Sequence, residues 1–257
     1  MPGEPSRPGP PTLFVSDLHL DGSRPAATEA FLAFLEHEAR HAAALFILGD
    51  LFEAWVGDDD DAEPGASVAT ALARLSSAGV PLYFMRGNRD FLLGEAYARR
   101  CGMRLLPDPC MVSLHDEPVL LMHGDLLCTD DVAYQAFRRQ VRDPSWQQAF
   151  LAQPLAARQA FAAQARDASR EHHAAVTATG QAEGITDVSA ATVEATFARF
   201  GVGRIIHGHT HRPAVHALQV DGRACTRIVL GDWYEQGSVL RLGVEGYSLD
   251  RLPLGAA

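Results

Sequence analysis

The chain has 257 residues, 47% apolar and 21% charged, with a formal net charge of -10. That length accommodates one large domain with a substantial core. The acidic surplus argues against a general nucleic-acid binder, which needs cationic surface for phosphate backbones, and against purely electrostatic docking on anionic membranes. All 22 basic residues are arginine, so every cationic role falls to a planar fork rather than a point charge. The cysteines at 101, 110, 128 and 225 form no CxxC pair, which fits a reducing compartment. Met1 to Pro11 is rich in proline and glycine and lacks the apolar centre of a signal peptide. No apolar run is long enough to cross a bilayer. These features predict a cytoplasmic protein, and nothing in them points to a protein partner.

In chain order, residues 1–11 read as a flexible tail and Thr12 to Val15 as a short buried strand. Ala26 to Arg40 has helical spacing at Phe31, Leu32, Leu35 and Ala39. Ala44 to Leu48 is a second strand, Val68 to Ala78 a second helix and Pro81 to Met85 a third strand. Cys110 to Leu114 and Val119 to Met122 read as a strand pair across the His115-Asp116-Glu117-Pro118 turn. From Asp130 to about residue 186 the pattern turns helical, rich in Ala, Gln and Arg. A helix at Ala190 to Phe200 follows, then strands at Arg204 to Ile206, Thr226 to Leu230, Val239 to Leu242 and Tyr247 to Arg251. Strands alternating with helices predict a layered α/β fold over residues 12–257, interrupted by a helical insertion at about 130–186.

Five short motifs each end one of the apolar runs: Asp17-Leu18-His19, Gly49-Asp50, Gly87-Asn88-Arg89-Asp90, His123-Gly124 and Gly208-His209-Thr210-His211. Sites in α/β sheets form at the carboxyl ends of strands, so these motifs are expected to converge. If strand geometry continues past Ser16, Asp17 and His19 project to one side; His209 and His211 repeat the spacing. Glycine at 49 and 87 leaves room beside Asp50 and Asn88. Asp17, His19, Asp50, Asn88, His123, His209 and His211 together offer imidazole, carboxylate and amide oxygen without thiolate, a donor set suited to ions such as manganese. A shared carboxylate, Asp50, can bridge two ions about 3.5–4 Å apart, which activate water at a phosphorus centre. Asp125 is expected to orient His123 and Cys128 to fill buried space.

The motifs resemble the calcineurin-like metallophosphoesterase superfamily. Longer stretches, Ile47 to Asp60, Gly87 to Gly94, Met122 to Asp131 and His207 to His216, are similar to the family of UDP-2,3-diacylglucosamine hydrolases of lipid A biosynthesis. The resemblance implies a four-layer α/β/β/α metallophosphoesterase sandwich with a helical lid. It implies hydrolysis of the substrate pyrophosphate to UMP and 2,3-diacylglucosamine 1-phosphate with two Mn2+ ions, on the cytoplasmic face of the inner membrane. On matching positions, Asp17, His19, Asp50 and His211 would hold one ion, and Asp50, Asn88, His123 and His209 the other. Asn88, Arg89, Asp131, Tyr134, Ser169, His173 and His209 would contact substrate.

Arg89 departs from the wider superfamily, where a histidine commonly follows the asparagine. An arginine cannot release a proton at neutral pH but clamps phosphate with two donors, so its expected part is charge stabilisation. The family's lid lysine has no counterpart here; Val176 takes its place and His173 a contact position. In the insertion, Phe137, Trp146, Phe150, Leu151, Leu155 and Phe161 either pack it onto the core or line an acyl-chain chamber. Arg138, Arg139, Arg142, Arg158, Arg166 and Arg170 either form a solvated face or meet anionic head groups. Competing readings are a soluble nucleotide pyrophosphatase or phosphodiesterase with the same metals, and a non-catalytic scaffold.

Overall fold

Short apolar runs that alternate between two buried directions dictate the architecture. In β1 (Thr12–Val15), Leu13 and Val15 face helices while Phe14 faces a second sheet. In β2 (Ala44–Leu48), Leu45 and Ile47 face the helices, and Phe46 and Leu48 the second sheet. A strand buried on both faces must be apolar throughout, which is why these segments read as continuous runs. A computed structural model describes residues 9–178 and 187–254, with side chains to residue 168 in the first stretch.

The other strands are β3 (Leu82–Met85), β4 (Met103–Leu106), β5 (Cys110–Leu114), β6 (Glu117–Leu121), β7 (Arg204–His207), β8 (Ala214–Val220), β9 (Arg223–Val229), β10 (Gln236–Gly243) and β11 (Gly246–Pro253). They form a six-stranded sheet, β11-β10-β1-β2-β3-β4, and a five-stranded sheet, β5-β6-β7-β9-β8. Pairing is parallel from β1 through β4 and from β6 through β7 to β9. Helices α1 (Pro25–His37), α2 (Gly65–Ser77) and α3 (Glu95–Cys101) cover the first sheet, and α7 (Ala190–Phe200) covers the second. The insertion contributes α4 (Val132–Val141), α5 (Pro144–Leu151) and α6 (Leu155–Ala178).

The middle layer joins the sheets through Phe14, Phe46, Leu48, Met85, Leu121, Ile206, Ile228 and Leu240, all buried. Phe14 and Phe46 stack at 5.0 Å within it. Each such side chain contributes roughly 1.5–3 kcal/mol on burial. The result is the α/β/β/α order expected from the sequence. Three details differ. The first helix ends at His37, and a 3-10 turn covers Ala39–His41. The β5–β6 turn is only His115-Asp116, both at positive φ, the geometry of a two-residue hairpin turn. α3, β4 and β8 did not stand out in the sequence; β8 has alternating half-exposed positions rather than an apolar run.

Candidate dinuclear metal site

Each of the five motifs follows the carboxyl end of a parallel strand: β1, β2, β3, β6 and β7. Three come from one sheet and two from the other, so the site lies across the top of the sandwich. Backbone hydrogen bonds zip the loops together. Asp17 N–H donates to Gly49 C=O at 3.0 Å and His19 N–H to Asp50 C=O at 2.9 Å. Gly208 N–H donates to His123 C=O at 2.8 Å, and His209 N–H reaches across to the Asp17 carboxylate at 2.9 Å.

The expectation that strand geometry carries Asp17 and His19 is corrected by the backbone. β1 stops at Val15, and Asp17 and His19 sit at φ 54° and 48°. Asp50, His209 and His211 also lie in the left-handed region, at 53°, 69° and 55°. Non-glycine residues pay for that conformation and cluster at functional sites. Tight left-handed turns, not pleat alternation, aim these side chains inward. Gly49 is needed on two counts: its φ is 92°, and a Cβ there would stand 2.5 Å from His123 Nδ1. At Gly208 a Cβ would stand 2.2 Å from Asp17 Oδ2.

The seven donor side chains converge. Asp50 is buried and turns one oxygen to each half of the site: Oδ2 is 3.7 Å from His19 Nε2, and Oδ1 is 3.7 Å from His123 Nε2. His19 Nε2 and His211 Nε2 face each other at 3.1 Å, with Asp17 Oδ1 3.4 Å from His211. On the other side the Asn88 carbonyl oxygen lies 2.8 Å from both His123 Nε2 and His209 Nδ1. Two compact groups with donor atoms within 4.8 Å of one another stand out, Asp17-His19-His211 and Asp17-Asp50-His123. Facing imidazole nitrogens hemmed in by carboxylates are what a divalent cation satisfies, and hard oxygen with imidazole is the matching chemistry. These residues fit a pair of ions.

Electrostatics supports the same reading. Burial disfavours charge on Asp17, but the hydrogen-bonded His211 and the charges of His123 and His19 hold its carboxyl well below the usual range. Burial works against a charged His123, yet Asp50, Asp125 and Asp17 push it up to about 9. His211 is likewise raised, against burial, by Asp17. His209 goes the other way, to about 4, through burial and the neighbouring His123. Ligand nitrogens must lose their protons to coordinate, so loading the metal-free protein at neutral pH displaces the proton held on His123. Manganese affinity is expected to rise with pH toward 9; calorimetry in buffers of different ionisation enthalpy would report about one proton released per protein.

The supporting shell departs from expectation at Asp125. His123 Nδ1 donates to the Leu48 carbonyl at 2.9 Å, which leaves Nε2 free for metal. Asp125 instead accepts from Tyr134 Oη and Arg138 Nε, both at 2.7 Å. Cys128 is buried. The sequence reading passed over Glu53, whose Oε2 stands 3.0 Å from His19 Nδ1. It also passed over Asp90. That buried carboxylate accepts from Gly87 N–H at 2.8 Å, Leu51 N–H at 2.7 Å and Asp50 N–H at 3.3 Å, tying two ligand loops together. Burial, then the charge of Asp50, pushes it up to about 6. Asp90→Ala strands those donors and is expected to cost about 3 kcal/mol, a drop of roughly 6–12 °C in Tm by calorimetry.

Beside the ligands lies a cavity of about 410 Å3. Asn88 and Arg89 stand at its inner end, and Val56, Phe91, Phe137, Phe150 and Phe161 form apolar walls. Asp131 and Tyr134 also line it; Asp131 caps α4 through Tyr134 N–H at 2.9 Å, and the Tyr134 hydroxyl is engaged by Asp125. The Ser169 and His173 side chains lie outside the described residues, as does Val176. Trp146 stacks on Phe150 at 4.8 Å behind the wall. Half of the proposed basic face is used internally: Arg138 pairs with Asp125 and Asp108, Arg142 donates to Gly87 C=O at 2.8 Å, and buried Arg158 grips Asp59. The acidic loop at 58–61 thus anchors the insertion, with Asp58 holding Trp55, Gly94 and Tyr97.

The family model for calcineurin-like phosphoesterases matches residues 10–213. The chain belongs to that family. This phosphoesterase is 63% identical over 243 residues to the UDP-2,3-diacylglucosamine hydrolase of Stenotrophomonas maltophilia strain K279a, covering 94% of this chain and 98% of the relative. It is 62% identical over 245 residues to the UDP-2,3-diacylglucosamine hydrolase of Xanthomonas oryzae pv. oryzae strain PXO99A, covering 95% and 99%. A solved archaeal phosphodiesterase covers 94% of this phosphoesterase and 99% of its own chain, at 14% identity and a TM-score of 0.42.

Proposed function

We propose that this phosphoesterase hydrolyses UDP-2,3-diacylglucosamine to UMP and 2,3-diacylglucosamine 1-phosphate with two manganese ions. The observation that carries the reading is the apolar cavity lined by Arg89 and by Asn88, one of the seven candidate metal ligands. Its apolar and aromatic walls, with Val56, Leu92, Phe91, Phe137, Phe150 and Phe161, suit acyl chains. The names of the relatives support the same substrate.

When bound, a pair of divalent cations supplies an activated water and offsets charge on phosphorus. Asp17, His19, Asp50 and His211 would hold one ion, and Asp50, Asn88, His123 and His209 the other. Asp50 places a carboxylate oxygen toward each half, and its Oδ1 is fixed by Arg89 N–H at 2.8 Å. The Arg89 guanidinium sits at the cavity's inner end with its Nε buried and without a hydrogen-bond partner among the described residues. Its one ion pair among the described residues, to Glu53 Oε1, is long at 3.8 Å, so the fork can clamp the sugar phosphate as that group departs. A phosphate leaves without needing a proton, so a fixed cation suffices where an alkoxide would require an acid.

Among the exposed large apolar residues, Val132, Phe137, Leu151 and Phe161 lie in the insertion, and Phe137 and Phe161 also line the cavity, which supports peripheral contact of this segment with the cytoplasmic face of the inner membrane. Among the described residues no helix is long and apolar enough to cross a membrane. The test is a manganese-dependent assay of the purified protein on the acylated UDP-sugar, UDP-glucosamine and a nitrophenyl phosphodiester. The acylated substrate should turn over at least about a hundredfold faster, a difference its buried chains can supply. Equal turnover of all three would overturn the lipid reading.

A further inference from the structure

The metal ligands are flanked by cavities on two sides. One is the apolar chamber at Asn88 and Arg89; the other, of about 540 Å3, is lined by His211 and Tyr234, the start of β10 and the later half of β11. The second cavity differs in chemistry. Gln236, Ser238 and Arg251 line it with the carboxylates Asp232, Glu235 and Asp250. Tyr234 joins it to the metal site, lying 5.2 Å from the His19 ring at an interplanar angle of 14°. Arg24 covers the Tyr234 ring at 4.4 Å.

We propose that this second cavity is the nucleoside subsite: it receives the uridine of the substrate and holds UMP after cleavage. The inference deepens the pyrophosphatase reading and rests on it. In an in-line displacement the attacking water and the departing sugar phosphate hold opposite sides of the attacked phosphorus, so the nucleoside projects sideways from it and needs a pocket apart from the lipid cavity. Three carboxylates make the cavity hostile to a second phosphate but accept hydrogen bonds from ribose hydroxyls. The nucleoside is neutral, so its phosphate would stay with the cations while its base extends along the cavity, away from His211. There, two polar side chains are unengaged: Gln236 and Arg251 have no side-chain hydrogen bond or ion pair among the described residues. The Gln236 amide offers one donor and one acceptor, the complement of the N3–H and C4=O edge of uracil. Arg251 lies across the ladder from Ser238 and can donate to a base or ribose oxygen.

The experiment is calorimetric titration of UMP into the manganese-loaded full chain, for the natural protein and for Arg251→Ala, Gln236→Ala and Phe137→Ala. Arg251 is exposed on the edge strand, so its removal leaves the core intact. Each of the first two variants should weaken UMP binding about tenfold; Phe137→Ala, in the lipid cavity, should leave it unchanged. UMP affinity indifferent to both Arg251 and Gln236, or lost in Phe137→Ala instead, overturns the subsite. If the natural protein still releases UMP from the acylated substrate in that case, the function stands and only the subsite falls. If UMP binds as expected and the acylated substrate is not cleaved, the lipid reading is what fails.

Discussion

Asp50→Ala should abolish hydrolysis, lowering kcat on the order of a thousandfold or more, about 4 kcal/mol of barrier. The reason is geometric. Asp50 turns its two oxygens to different halves of the site, each 3.7 Å from a different histidine. Its removal leaves two half-sites with no shared carboxylate and subtracts a buried negative charge that holds His123 up near 9. Calorimetry with manganese should therefore show fewer than two ions bound, beside the lost UMP release. Near-natural rates with two ions retained would remove Asp50 from its assigned place.

Arg89→Ala is expected to act differently, cutting kcat about 100- to 1000-fold while leaving manganese binding close to natural. The guanidinium stands at the junction of the ligands and the lipid cavity, with Glu53 Oε1 3.8 Å from its Nη1. Losing a charge-assisted pair of donors to a phosphate in a confined site costs roughly 3–4 kcal/mol. The contrast with Asp50→Ala is diagnostic, because Arg89 contributes only its backbone N–H to holding Asp50, and alanine keeps that bond. Arg89→His supplies a second check. A histidine can transfer a proton but cannot form the planar fork, so full activity in that variant would contradict charge stabilisation.

The fold was legible wherever a segment is buried on both faces. Thr12–Val15 and Ala44–Leu48 stand in the structure at the bounds the sequence suggests, as does the helix Ala190–Phe200, which buries only Val193 and Phe197. β8 escaped notice because its alternate positions are exposed, and β4 because only Met103 in it is buried. The seven donor residues were legible because chemistry-bearing types recur directly after apolar runs. Their aim was not, since left-handed turns at Asp17, His19, Asp50, His209 and His211 cannot be read from residue type. Glu53 and Asp90 were visible inside the quoted motifs, but nothing in the sequence says which carboxylate touches metal ligands and which ties loops. The arginines of the insertion misled for a related reason: Arg158 looks solvated by composition and is buried against Asp59. A partner 99 positions away in sequence leaves no local signature.

The split of the ligands between two sheets gives the middle layer a second duty. Asp17, His19, Asp50 and Asn88 ride on one slab, His123, His209 and His211 on the other, and the slabs touch through the Phe14–Phe46 stratum. That greasy seam works as the gauge block of the instrument, because its thickness sets the gap the cations must span. Trimming or fattening it should blunt the grip on metal long before the molecule loses its shape.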